Sequence, residues 1–236
     1  MSDDLKRLET AYNNRNTVKD SDLYSLANPG YLFAIQQRER SVLKLLRKHH
    51  LLPLSDKRIL EVGCGRGGVL REYVRYGALP HQLHGVDYLL DRVETARQNM
   101  PTSCWIHADG QQLPYPDSSF DLVLQYTALS SLLDARVRAK IAAEMMRVLK
   151  KEGGAIIWYD FWLNPKNDQT HGLRQGEIRT LFPEAKFDFS QITLAPPLAR
   201  RLVPISWTSA ILLEKVRFLN SHYLVAINAH QSRTQN

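Results

Sequence analysis

From residue 28 onward, stretches of helical period alternate with short apolar runs. Residues 28–50, NPGYLFAIQQRERSVLKLLRKHH, set Leu32, Ile35, Val42, Leu43 and Leu46 at helical spacing with Arg and Lys between them, and Pro53 helps to stop the helix. RILEVG (58–63) then reads as a buried strand. The next helix fits 67–77, with Val69, Leu70, Tyr73 and Val74 on one side and Gly77 as its stop. QLHGVD (82–87), TSCWIHAD (102–109), FDLVLQY (120–126) and AIIWYDFW (155–162) are further strands, with helices LLDRVETARQN (89–99) and DARVRAKIAAEMMRVLK (134–150) among them. The latter helix has Asp134 as its N-cap and an apolar stripe through Val137, Ile141, Met145, Val148 and Leu149.

Strands separated by helix-length segments build βαβ units, hence an α/β fold in which a parallel sheet is covered on both faces. Right-handed crossovers put the C-terminal ends of these strands on one edge, where open α/β sheets bind ligands. The tail breaks the alternation: EIRTLFPEA is a short helix, KFDFSQITLA (186–195) a sixth strand and HYLVAINA (222–229) a seventh. Between these two strands, 196–219 suggests a helical insertion interrupted at Pro204, too broken and polar to span a membrane, which takes about 20 apolar residues. Its Leu198, Leu202, Ile205, Leu212, Val216 and Leu219, set among Arg200, Arg201, Lys215 and Arg217, read first as core packing. A cover over the active site and contact with an anionic membrane surface are the other readings. The expected organisation is a helical cap or lid over residues 1–57 and one α/β domain over 58–236, with the insertion at about 197–219 inside it.

With 44% hydrophobic and 23% charged residues over 236 positions, the chain is globular rather than disordered or fibrous. Its N-terminus, MSDDLKRLETAYNN, is acidic and polar where a secretory leader is basic and then apolar, so a cytoplasmic protein is expected. Cys64 and Cys104 come with no CxxC or Cys/His cluster, which argues against a disulfide or a metal centre and for reduced bystanders. The net charge of +7 is uneven: residues 1–60 hold 11 Lys+Arg against 7 Asp+Glu, 61–196 hold 15 against 16, and 197–236 hold 5 against 1. Basic flanks folded over one face suit an anionic substrate, a phosphate-bearing lipid or a nucleic acid, and otherwise serve solubility.

Chemistry concentrates in ILEVGCGRGG (59–68). Gly63, Gly65 and Gly68 satisfy G-x-G-x-x-G between a strand and a helix: a turn with unusual dihedrals, backbone free to touch a ligand, and a helix N-terminus with unpaired N–H groups. The same glycines also serve a plain tight turn. Asp87 narrows the reading, because it ends the second strand 19 residues after Gly68, where a carboxylate accepts both hydrogen bonds of a ribose diol. A nucleoside-containing cofactor follows, and NAD and S-adenosylmethionine (SAM) both satisfy the pattern to this point.

LEVGCGRGG, GVDYLLDRVETAR, ADGQQLPYPDSSFDLVLQ and EMMRVLKKEGGAIIWYD, in this order over roughly residues 58–160, resemble the class I SAM-dependent methyltransferases, in particular their small-molecule branch. The resemblance implies a Rossmann-like, seven-stranded, mostly parallel sheet with helices on both faces and an antiparallel last strand, in agreement with the strand count. It implies SAM as cofactor and S-adenosyl-L-homocysteine as product. Carried over by position, Glu61 and the loop of Gly63, Gly65 and Gly67 would lie beside the amino acid part of SAM, and Asp87 would hold the ribose hydroxyls with Tyr88 near the adenine. Asp109 would accept from the adenine amine, the Gly110 N–H would donate to the ring, and Gln125 would face the methionine moiety. Asp109 otherwise caps its own loop.

Methyl transfer from a sulfonium is an in-line displacement in which positioning supplies most of what the protein must do, and a hydroxyl acceptor also benefits from a base. Asp160, where the fifth strand ends, and His171, in NDQTHGLRQG, are the candidate catalytic bases; the competing readings are a loop-orienting carboxylate and a solvated histidine. Tyr31 and Phe33 either cover the cofactor or belong to the core, and Arg38 and Arg40 either meet an acidic substrate group or solvate their helix. The expected function is methyl transfer from SAM to a small-molecule or lipid-linked acceptor, at oxygen, compatible with peripheral membrane contact. An NAD-dependent oxidoreductase is the first alternative. A nucleic acid methyltransferase, suggested by the pI near 9.4, is opposed by YTALSS after the fourth strand, where an Asn/Asp-Pro-Pro-aromatic loop would be expected, and by the lack of a separate RNA-binding module. A SAM-binding protein without turnover is the third.

Overall fold

A computed structural model describes residues 25–164 and 169–229, together with Arg7, Thr10 and Leu23. Most of residues 1–24 of the predicted cap therefore lie outside the described residues, as do 165–168 of the loop before His171. Helix α1 (Pro29–Lys48) begins where Asn28 Oδ1 accepts from the Gly30 and Tyr31 N–H groups, with Pro29 occupying a position that needs no donor, and it ends on Arg47 and Lys48.

The parallel part of the sheet is β1 (Ile59–Val62), β2 (Leu83–Asp87), β3 (Cys104–His107), β4 (Leu122–Tyr126) and β5 (Ala155–Phe161). Helices α2 (Gly68–Arg75), α3 (Leu90–Asn99) and α4 (Ala135–Val148) fall in the connections predicted for them, and Asp134 caps α4 through Arg136 N–H at 2.8 Å. After α5 (Gln175–Leu181) come β6 (Lys186–Leu194), α6 (Pro196–Leu202), α7 (Trp207–Leu213) and β7 (Asn220–Asn228). The seven strands lie in the order β3-β2-β1-β4-β5-β7-β6, with β7 antiparallel to both β5 and β6, so the expected Rossmann-like sheet with its antiparallel last strand is present.

Alternate side chains leave the sheet on opposite faces. Ile59, Leu122, Leu124 and Ile157 pack with α1, α2 and α3 on one face; Leu60, Val62, Val123, Ile156 and Trp158 pack with α4 and α5 on the other. A third, smaller cluster joins Phe33 of α1 to Leu194 of β6 and to Ala199, Val203 and Ala210 of the insertion. Phe33 sits edge-on to Trp207 there, 5.3 Å between centroids, so it is core and not a cover for the cofactor. The Gln37 side chain fastens the same junction: its Oε1 accepts from Leu194 N–H (2.9 Å) and its Nε2 donates to Asn220 Oδ1 (3.3 Å).

Register decides where the insertion lies. Phe161, at the C-terminal end of β5, pairs with His222 near the start of β7, and Leu194, at the end of β6, pairs with Asn220. The β6–β7 connection therefore crosses the same sheet edge at which β1, β2 and β4 end.

Candidate cofactor and acceptor site

At that edge β1 stops on Val62 and the chain turns through Gly63, whose φ is +75° and whose absent Cβ leaves room for Ala128: a methyl built there would come within 2.4 Å of the Ala128 Cβ. Only glycine satisfies both demands. The Gly63 and Cys64 N–H groups donate to Val86 O, and the Gly65 N–H donates to Asp87 Oδ2 at 2.7 Å, which ties the loop to the end of β2. Leu89 N–H donates to the other carboxylate oxygen at 2.9 Å.

The loop, the ends of β2 and β3 and the β4–α4 connection enclose a cavity of about 270 Å3. Glu61, Gly63, Gly65, Asp87, Tyr88, Asp109 and Gly110 line it. Asp109 faces the cavity, and its carboxylate accepts from Gln111 N–H at 2.9 Å. Cys64, a free thiol, also lines the cavity, and burial with Glu61 and Asp87 nearby pushes its pKa well up.

Glu61 is buried, and its Oε2 has no hydrogen-bond partner. Burial first, then the nearby negative charges of Glu72 and Asp87, hold its carboxyl well above the usual carboxylate range. Burial likewise raises Asp87, against the two N–H groups it accepts. Three carboxylates, Glu61, Asp87 and Asp109, face the cavity against one guanidinium, Arg92. Such a site favours a cation and repels a pyrophosphate, since like charges a few ångströms apart in a partly buried site cost energy that water would screen outside. The unpartnered oxygen of Glu61 fits an ammonium group, which is the feature SAM has and the pyrophosphate of a dinucleotide lacks.

Four expected site residues stand elsewhere. Gly67 lies outside the cavity: a Cβ on it would meet the Trp105 ring at 2.6 Å, so its role is to let that ring pack against the start of α2. Gln125 is fully buried behind the cavity wall and donates from Nε2 to Asp160 Oδ2 at 2.8 Å. Asp160 is also fully buried and accepts from Ser130 N–H (3.0 Å) and Phe161 N–H (2.8 Å) as well. Burial raises its pKa, opposed by the bonds from Ser130 and Gln125. A carboxylate whose oxygens hold three donors and that lines no part of the cavity is placed to brace the wall. His171 is half exposed and bonds Glu177 Oε1 at 2.7 Å, with its N–H on Ser130 O, so it too is a surface partner and not a cavity group.

What the sequence reading missed is the wall that Asp160 braces: Tyr126, Thr127, Ala128, Leu129, Ser131 and Leu132, from the end of β4 and the connection to α4, line the cavity. Thr127 has φ +53°, uncommon for a β-branched residue and a form of strain that clusters at functional sites. The only signal in the sequence was its place directly after the fourth strand. Tyr126 OH pairs with Tyr73 OH at 3.1 Å, and the Arg38 guanidinium, ion-paired with Glu72, lies 5.7 Å from the Tyr126 ring centre and 5.3 Å from that of Tyr159. Arg38 thus sits inside, behind the wall, while Arg40 pairs with Glu214 of the insertion.

Fold and cavity together define a Rossmann-like protein built to hold a cationic nucleoside. A family model described as a methyltransferase domain matches residues 60–157. A sterol 24-C-methyltransferase of Neurospora crassa is 29% identical over 148 residues, 61% of this chain and 38% of the relative, and a fatty-acid O-methyltransferase of Mycolicibacterium smegmatis is 36% identical over 109 residues, 45% of this chain and 38% of the relative. The chain thus spans well under half the length of these curated relatives. Among solved structures, phosphoethanolamine N-methyltransferase 1 of Haemonchus contortus, in complex with phosphoethanolamine and S-adenosylhomocysteine, superposes with a TM-score of 0.64 at 15% identity, over 100% of this chain and 52% of that one, a likeness of fold. Over residues 60–157 the chain is similar to methyltransferase domains, and its relatives and solved neighbours are SAM-dependent methyltransferases, which supports SAM as the cofactor.

Proposed function

We propose that this protein transfers the methyl group of SAM to an oxygen of a lipid-like acceptor. The observation that carries the cofactor half is the buried, half-unpartnered carboxylate of Glu61 among the carboxylates of one cavity. When bound, SAM supplies an electrophilic methyl group on a positively charged sulfur. Glu61 would hold the ammonium end, Asp87 the ribose hydroxyls through lone pairs left over from Gly65 and Leu89, and Asp109 with Gly110 the adenine edge, with Tyr88 beside the ring. Gly63 and Gly65 keep the backbone out of that volume. Asp160 and Gln125 hold the Ser130 turn, and so the wall from Tyr126 to Leu132, at a fixed distance from the cofactor cavity.

The acceptor half rests on that wall. Its aromatic, aliphatic and hydroxyl side chains suit an apolar body, and among its described residues none is a carboxylate or imidazole placed to take a proton. A carboxylate acceptor needs none removed, because it is already ionised at neutral pH and attacks as it stands, whereas an alcohol needs a base. The fatty-acid O-methyltransferase relative is named for such an acceptor, and the sterol 24-C-methyltransferase for a carbon one. In this reading residues 1–57 cap the acceptor side. The Arg7 guanidinium supports it, donating to Ser131 O on the wall at 2.6 Å and to Gln169 Oε1 at 3.1 Å.

The test is incubation with methyl-labelled SAM and a panel of fatty acids, sterols, quinols and phospholipids, with mass spectrometry of the products, beside calorimetric titration with SAM, S-adenosylhomocysteine and NAD. Label as a methyl ester is expected. Label on carbon overturns the oxygen assignment, and NAD binding without SAM binding overturns the function.

A further inference from the structure

The helical stripe of the insertion is divided by the structure. Ala199 and Val203 of α6 and Ala210 of α7 turn inward onto Phe33 and Leu194, with Leu198, Leu202 and Leu219 partly buried beside them. Other apolar side chains of the insertion lie in solvent: Ile205 is 82% exposed, Phe218 76% and Leu212 60%. Arg200, Arg201, Lys215 and Arg217 of the same segment are also exposed. The one acidic residue from 196 to 219, Glu214, turns away into an ion pair with Arg40.

We propose that this face of the insertion seats the protein on an anionic lipid bilayer. Charge complementarity selects the occupant. A cationic rim without a facing carboxylate meets acidic headgroups, while Ile205, Leu212 and Phe218 reach the acyl region beneath them. A nucleic acid would use the four basic residues and leave the two aliphatic chains in water, and the inference goes beyond the methyl-transfer reaction, since docking needs neither SAM nor turnover. Position gives it purpose: strand register puts the β6–β7 connection on the sheet edge that carries the cofactor cavity. No described helix is long and apolar enough to cross a membrane, so the contact is one of lying on the surface.

Co-sedimentation of the full chain, without SAM, with vesicles of phosphatidylcholine alone or mixed with phosphatidylglycerol tests the proposal. Binding to the mixed vesicles at low salt is expected, falling about tenfold or more in high salt or on neutral vesicles, because screening shortens the reach of the basic face. Two double variants, Ile205→Asp with Phe218→Asp and Arg201→Glu with Arg217→Glu, each lower the partition about tenfold while thermal unfolding stays that of the wild type, as expected for exposed positions. Arg136→Glu, on the exposed start of α4, leaves binding unchanged. Equal partition onto neutral vesicles, no binding at low salt, or wild-type binding by both double variants overturns it. So does tighter binding to a single-stranded RNA than to the mixed vesicles, or self-association of the free protein that the same substitutions abolish.

Discussion

Gly65 and Asp87 are joined by a 2.7 Å hydrogen bond from backbone N–H to carboxylate, so the glycine loop and the end of β2 form one unit. Asp87→Ala therefore leaves the N–H groups of Gly65 and Leu89 without their acceptor. The substitution should cost about 1–3 kcal/mol of stability, in addition to at least tenfold in SAM affinity. Denaturant unfolding and calorimetry measure the two effects. Loss of affinity at full stability would mean that the loop is held by something other than Asp87.

Glu61→Gln should act with the opposite sign on the free protein. It removes a buried carboxyl whose ionised form burial disfavours and whose oxygen is unpartnered, so stability without ligand should hold or rise, while SAM binding weakens about 10- to 100-fold through loss of a charge-assisted contact. A variant less stable than wild type with unchanged SAM affinity would contradict the cavity reading.

The pH dependence follows from the same residue. The Glu61 pKa in the fold lies well above the ordinary 4.5, so the folded chain keeps a proton that the unfolded chain has released. Stability from this source is full below 4.5 and is lost as pH rises through the raised value. An ammonium beside Glu61 favours the ionised form, so the rise in melting temperature given by SAM should grow with pH across that window, and Glu61→Gln should flatten it. A ligand-induced rise that shrinks with pH would refute the assignment.

Asp160→Asn forces one of three donors to lose its acceptor and should destabilise the protein by about 1–3 kcal/mol. The pH profile of kcat should keep its shape, because Asp160 braces the wall and moves no proton. His171→Ala should leave kcat within about twofold, as expected for a half-exposed side chain outside the cavity. A kcat falling by orders of magnitude at full stability in either variant would restore a base.

Two glycines of one motif should answer differently. Gly63→Ala meets Ala128 at 2.4 Å with φ at +75° and should cost about 2 kcal/mol or more together with cofactor binding. Gly68→Ala meets nothing within 4 Å, and in the first turn of α2 it should be neutral or stabilising by up to about 1 kcal/mol. Thermal unfolding of the pair separates them.

The periods of the chain carried the sheet, and the glycines with Asp87 carried the cofactor edge, since both are local patterns that packing then reinforces. Roles set by distant partners were not legible. Gly67 answers to Trp105, 38 residues on, and Asp160 to a turn formed 30 residues before it. The apolar stripe of the insertion was visible, but which half turned inward depended on Phe33 and Leu194, supplied from elsewhere in the chain. Thr127 carries its unusual backbone without any residue type that announces it.

The Gln37 amide bonds the end of β6 and the start of β7 at once. Removing α1 would strand the Leu194 N–H and the Asn220 Oδ1 and uncover Leu194, Ala199 and Val203. The segment that can be grafted onto another methyltransferase is therefore not 195–219 by itself but that segment with its own α1, two stretches far apart in the gene that have to be moved, and have to change, as a pair.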